Sequence, residues 1–140
     1  MSDFIHLHNH SHYSLQDAAC TIEALVNAAV KNEMHAVALT DHGVLYGAPE
    51  FYKRAKKAGI KPIIGMEAYI VIDGTRFDKK GDEPDYGAKK KHYNHLVLLA
   101  KNLTGYKNLI KLTTIGHTEG FYYRPRIDFE TLTKYSEGLI

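Results

Sequence analysis

Four histidines stand at every second position in the stretch HLHNHSHYS, residues 6 to 14: His6, His8, His10 and His12. Alternate side chains of an extended strand share one face. These rings would therefore line up on one side, with Ile5 and Leu7 turned the other way into a core. Neutral imidazole is the commonest metal ligand, and an HxH pair at a strand end can grip one ion with both rings. The alternation is unlike the unbroken run of an expression tag. A histidine-rich polar strand edge is the plainer alternative, and the rest of the chain has to decide between them.

Other ligand-type residues fall at comparable places. Asp41 and His42 follow the apolar run AVALT directly, in TDHG. Glu67 lies in KPIIGMEAYIVI, where an unpaired buried carboxylate would be costly. His95 opens HLVLLA. Several have ordinary structural explanations: Asp17 as a cap of the first helical region, His42 as a core histidine bonded to carbonyls. Asp41 is read as bracing the turn after its strand rather than as a ligand. Taken together, histidines, an aspartate and a glutamate make a mixed imidazole and carboxylate site suited to zinc, manganese or iron. Divalent ions there would acidify water and neutralise phosphoryl oxygens, which is what phosphate-ester hydrolysis requires. No serine or cysteine nucleophile has a recognisable setting, and there is no Walker-type glycine loop. Arg124 and Arg126, in YYRPR, are expected on the rim of the same face as DNA-contacting groups. Pro125 keeps that segment extended, and guanidinium forks suit phosphate. Two ordinary surface arginines are the alternative.

The elements that must carry these residues read as strand, helix, strand, helix, strand. FIHLH, 4 to 8, is expected as the first strand. Residues 22 to 34 place Ile22, Leu25, Val26, Ala29, Val30 and Met34 at helical spacing behind Thr21 as N-cap. AVALT, 36 to 40, has the continuous apolar character of a strand buried on both faces. A helix from Ala48, with Pro49 in its first turn, buries Phe51, Tyr52 and Ala55 and stops at Gly59. Strands follow at 61 to 72 and 95 to 100, then a helix from Thr104 and a short one capped by Asp128. This order predicts an α/β fold with a mostly parallel sheet, whose reactive groups gather at the carboxyl ends of strands. His95 begins its strand, so it reaches Glu67 only if AYIVI and HLVLLA pair antiparallel. The polar stretch 73 to 92 is expected as a long exposed loop.

At 140 residues, 44% hydrophobic and 24% charged, the chain reads as one domain with a real core. No apolar run approaches a membrane span, and the start lacks a signal peptide's basic and apolar segments. A single cysteine, Cys20, suits a reducing cytoplasm. The net charge of +2 is too small to announce a nucleic-acid binder.

HLHNHSHYSLQDA, LTDHGVLYGAPEFYKRAKKAGIKPIIGMEAYI, HLVLLAKNLTGYKNLIKL and EGFYYRPRID together resemble the PHP domain family, in the branch that opens bacterial DNA polymerase III alpha subunits. The resemblance runs through essentially the whole chain. It implies an α/β fold of the distorted (β/α)7, TIM-like barrel type, incomplete here, with parallel strands and an antiparallel extension. It implies metal ligands at His8, His10, Asp17, His42, Glu67 and His95, with Glu67 bridging. Up to three divalent ions (Zn, Mn or Fe) belong to the complete domain and fewer to this segment, because further ligands are expected beyond Ile140. Ala18 stands where the family usually has glycine. The implied activity is metal-dependent 3′–5′ exonuclease chemistry within a replicative polymerase, this segment alone being inactive. The implied partners are DNA, the remainder of the polymerase chain, and replisome subunits such as a sliding clamp or proofreading subunit, in the cytoplasm and away from membranes. A non-catalytic metal-binding module is the main alternative, and a histidinol-phosphatase-type enzyme a more distant one.

Overall fold

The computed structural model describes residues 4–79 and 93–140. Of the expected loop over 73 to 92, residues 80 to 92 lie outside the described residues. Helix α1 (Ile22–Lys31) starts at the expected cap: Thr21 is extended, and its hydroxyl accepts from the Ala24 N–H at 3.1 Å. Its buried stripe, Ile22, Val26 and Ala29, packs with Val37, Leu39, Phe51, Ala55 and Ile60. The helix ends at Lys31 rather than at 34, because the chain reverses through Glu33 at a φ of 53°. Thr21→Ala leaves that first-turn donor unmet and is expected to cost about 1 kcal/mol. A lowered urea midpoint at unchanged slope is the check.

Strand β1 (Ala36–Leu39) is buried along its length, as its apolar run predicts. Helix α2 (Ala48–Lys57) carries Pro49 in its first turn and buries Ala48, Phe51 and Ala55. Tyr52, expected to be buried, is exposed. It sits about 100° around the helix from Phe51, off the stripe that faces the sheet. Gly59, at a φ of 74°, turns the chain into strand β2 (Lys61–Val71).

Strand β2 is the hub. Its first half pairs parallel with β1, from Ala36↔Lys61 to Leu39↔Ile64. Its second half pairs antiparallel with β3 (Tyr93–Leu99), from Gly65↔Leu99 to Val71↔Tyr93. This is the antiparallel extension that His95 required. On the edge away from β3, Glu67 bridges to His42, and Tyr69–Val71 then pair parallel with β5 (Arg124–Asp128). The two-residue β4 (Phe121–Tyr122) lies antiparallel on β5. The result is a mixed α/β fold with a parallel spine of β1, β2 and β5. Helix α3 (Leu103–Thr118) begins one residue before Thr104, capped by the Asn102 side chain. It seals a second core of Leu109 and Leu112 with Met66, Ile70, Leu98 and Ile127. Asp128 caps α4 (Phe129–Lys134) through a capping box with Thr131. Among the described residues no helix is long and apolar enough to cross a membrane.

The strand expected at 4 to 8 does not form. His6 O accepts from Ala38 N–H at 3.0 Å, but the next acceptor on this segment is Asn9 O, from Thr40 N–H at 2.8 Å. The segment thus advances three residues against two of β1, which breaks the alternation. Asn9 covers the irregularity: its side-chain amide donates to His6 O and Ala38 O, and its N–H donates to the Thr40 hydroxyl. Leu7 is consequently 47% exposed instead of facing a core.

Candidate metal centre

The end of β1, the middle of β2 and the start of β3 meet around one carboxylate. Glu67 is 4% exposed, and its two oxygens are divided between two pairs of imidazoles. Oε2 meets His8 Nε2 and lies 3.1 Å from His10 Nε2. Oε1 meets His95 Nδ1 and lies 3.7 Å from His42 Nδ1. His8, His10 and Glu67 offer ligand atoms all within 4.8 Å of one another, and so do His42, Glu67 and His95. His95 arrives by register: it pairs with Tyr69, two residues along β2 from Glu67, and cross-strand neighbours share a face. Asp17 reaches the group from the side, its Oδ2 2.7 Å from His42 Nε2. His6 is exposed, and the His12 ring lies tilted against that of Tyr13; neither joins these groups.

Asp41 is a brace, as read. Its buried carboxylate accepts from the Ser11 N–H at 2.7 Å and from the Ser11 and Ser14 hydroxyls at 2.8 Å. Sequence reasoning passed over those serines. Two hydroxyls just after HxH, with a carboxylate just after an apolar strand, were the available signal.

Electrostatics suit cation binding. Burial alone would raise the Glu67 carboxyl, but hydrogen bonds from His8 and His95 and the charge of nearby histidines outweigh it and hold it below its ordinary value. Burial likewise lowers His42, against the pull of Glu67, so its imidazole is neutral at pH 7. The same cause raises Tyr69, whose ring stacks on His42 at 5.7 Å. The donor set also fits a divalent ion. Among the described residues, His10, His12 and His42 keep a buried Nδ1 with no hydrogen-bond partner, and of these His12 lies outside the ligand groups. At 3.7 Å from a carboxylate oxygen, His42 Nδ1 is too far for a hydrogen bond and well placed to share a cation with it.

The two arginines part company. Arg124 lies beside the site: its guanidinium donates to Gln16, next to Asp17, and sits 5.9 Å from the Tyr69 ring centroid. Arg126 is not a rim residue. It is 1% exposed, and its guanidinium donates to the carbonyls of Gly120, Arg76 and Asp78. Alternation would put Arg124 and Arg126 on one face of β5; what sets Arg126 apart is the three backbone oxygens that gather its donors into the interior.

The sequence pattern described as the PHP domain matches residues 6–140. The chain is similar to the DNA polymerase III subunit alpha of Borreliella burgdorferi, 61% identical over 139 residues, or 99% of this chain and 12% of that protein. The corresponding Aquifex aeolicus protein is 51% identical over 138 residues, again 99% and 12%. The chain therefore spans about an eighth of the length of these relatives. Among solved structures, a candidate metal-dependent phosphoesterase from Bifidobacterium adolescentis has a TM-score of 0.55 at 19% identity, over 81% of this chain and 33% of that one. An amidohydrolase from Chromobacterium violaceum, with bound sulfate and no metal, has a TM-score of 0.54 at 22% identity, over 81% and 32%. At such identities these two speak for a shared fold.

Proposed function

Because this chain belongs to the PHP domain family, we propose that it is the N-terminal metal-binding segment of a replicative DNA polymerase alpha subunit, hydrolysing phosphodiesters at DNA 3′ ends. The observation that carries this reading is the divided carboxylate: Glu67 presents one oxygen to His8 and His10 and the other to His42 and His95. Those residues would hold two divalent ions with Glu67 between them; a neutral His42 offers one lone pair, so it would serve either the Glu67 side through Nδ1 or, with Asp17, a further position through Nε2. Ions in such a set supply Lewis acidity toward phosphoryl oxygens and water. Zinc, manganese and iron all suit the donors.

The chain's own residues prepare the site. Burial keeps His42 in the neutral form that ligates, and an ionised Glu67 supplies the negative charge that draws cations in. Arg124 lies within reach of a phosphate approaching the Asp17 side. Arg124→Ala is expected to weaken DNA binding and to reduce the salt slope of the affinity by about one, leaving metal content unchanged. Fluorescence anisotropy of a labelled oligonucleotide across a salt series reads both quantities. An unchanged slope returns Arg124 to the ordinary surface.

The sheet is, on this proposal, the first part of a distorted barrel whose remaining strands lie in the rest of the polymerase chain. Leu99 and Ile140 exchange both backbone hydrogen bonds at 2.9 Å, which supports a further strand starting along β3. The rest of that chain, DNA, and replisome subunits such as a clamp or proofreading subunit are the proposed partners. The test is nucleotide release from a 3′-labelled strand by a polymerase chain carrying this segment, with and without Mn²⁺. Release that requires Mn²⁺ and is lost in Glu67→Gln, while that variant still polymerises in the same divalent-ion buffer, is the expected result. Metal binding without release would replace the catalytic reading by a structural metal module.

A further inference from the structure

We infer that Asp41 is the positioning residue of this centre, a single side chain and its backbone that set the three ligand-bearing segments against one another. The inference rests on the metal-binding reading above. Asp41 is 1% exposed, and no ligand group among the described residues includes it. Both of its carboxylate oxygens are taken: Oδ1 by the Ser11 N–H and the Ser14 hydroxyl, Oδ2 by the Ser11 hydroxyl.

Each bond leads to a ligand. Ser11 follows His10 directly, so its N–H and hydroxyl fix the end of the HxH segment. Ser14 stands three residues before Asp17, and its oxygen also accepts from the His42 N–H at 3.1 Å. The Asp41 carbonyl in turn accepts from the Glu67 N–H at 3.1 Å, and Gly43 N–H donates to Glu67 O at 2.9 Å. One residue thus touches the segment of His8 and His10, the backbone neighbour of His42, and the backbone of Glu67.

The physical reason for a carboxylate follows from the first segment's irregular path. Residues 4 to 10 lack a regular ladder, so main-chain pairing alone cannot hold the imidazoles in place. A buried carboxylate is tolerated only when its oxygens are fully bonded, and here three donors bond it. That requirement makes the geometry nearly all-or-none. Metal affinity depends on such supporting groups, whose loss typically costs about 10–100-fold.

The test is Zn²⁺ affinity of this chain, measured by chelator competition, beside the visible spectrum of the Co²⁺-loaded form. Both are read at a temperature where circular dichroism shows each metal-free variant folded. Asp41→Ala is expected to lose about 10–100-fold in affinity and to change the Co²⁺ spectrum. Asp41→Asn, which keeps an acceptor for Ser11 N–H and Ser14, should recover part of the loss. A folded Asp41→Ala with wild-type affinity and spectrum overturns the inference. If Asp41→Ala does not fold, Ser14→Ala carries the test, because it removes the Asp41–Ser14–His42 connection and leaves both Ser11 bonds to Asp41 in place; wild-type affinity and spectrum there overturn it equally. Failure of the wild-type chain to bind metal at all is a different result, which removes the metal reading and this inference with it.

Discussion

Glu67→Gln is expected to abolish the stabilisation that divalent ions confer on the wild-type chain. A ligand that binds only the folded state adds RT ln(1 + [L]/Kd), about 2.7 kcal/mol at a hundredfold excess over Kd. Glu67 belongs to both candidate ligand groups, so a single substitution takes the negative charge from both and turns one of its two oxygens into an NH2 that cannot ligate. The loss should exceed the roughly 10–100-fold typical of supporting residues. His8→Ala, by contrast, touches one group and should spare the other. Urea midpoints with and without Zn²⁺ decide the matter. The metal-dependent increment is expected to vanish in Glu67→Gln and to be only reduced in His8→Ala. Equal increments in wild type and Glu67→Gln would mean that the ions bind elsewhere.

The second large effect lies away from the site, at Asp128. Its side chain is 3% exposed and accepts from the Arg76 guanidinium at 3.0 Å, the Arg76 N–H at 3.0 Å, and Thr131 at 3.0 and 2.9 Å. Asp128→Ala leaves Arg76 with Glu119, at 2.8 Å, as its carboxylate partner, but leaves the Arg76 N–H unmet and α4 without its cap. The expected cost is about 2–4 kcal/mol, from a lost cap of about 1 and buried donors left unmet at about 1–3. The acid limb of stability carries the sign. Burial alone would raise the Asp128 carboxyl, but bonds from Arg76 and Thr131 outweigh it and hold it below the ordinary value. The folded chain therefore binds fewer protons than the unfolded one. This contribution is fully present above the ordinary aspartate pKa of about 3.9 and is lost as pH falls through the depressed folded value. Urea midpoints down a pH series should fall more gently in Asp128→Ala over that range. A variant as stable as wild type at pH 7, with the same acid limb, would show that the pair contributes nothing.

Much of the site was legible because it is local. HxH and TDHG each sit within a few residues of a strand end, and a lone acid in an apolar strand demands a partner. His95 was legible only conditionally, because its approach depends on a register, Tyr69↔His95, that spans a long connection. Asn9 and Thr40 show where pattern reading stops. Alternating histidines predict a strand, but an extra residue compensated by side-chain bonds keeps the rings near Glu67 while exposing Leu7. Arg126 shows the other limit. An arginine beside tyrosines and a proline is ordinarily a surface group, and the carbonyls that bury it come from segments about 50 and 6 residues away. The short β4 also escaped notice, since two residues followed by Tyr123 at a φ of 57° leave no periodicity to read.

The most direct measurement is electron paramagnetic resonance of this chain titrated with Mn²⁺. If the Glu67 carboxylate is shared by two ions, the saturated spectrum should be that of an exchange-coupled pair, and Glu67→Gln should eliminate it. Saturation at one ion per chain, with only the spectrum of isolated Mn²⁺, would contradict the shared carboxylate.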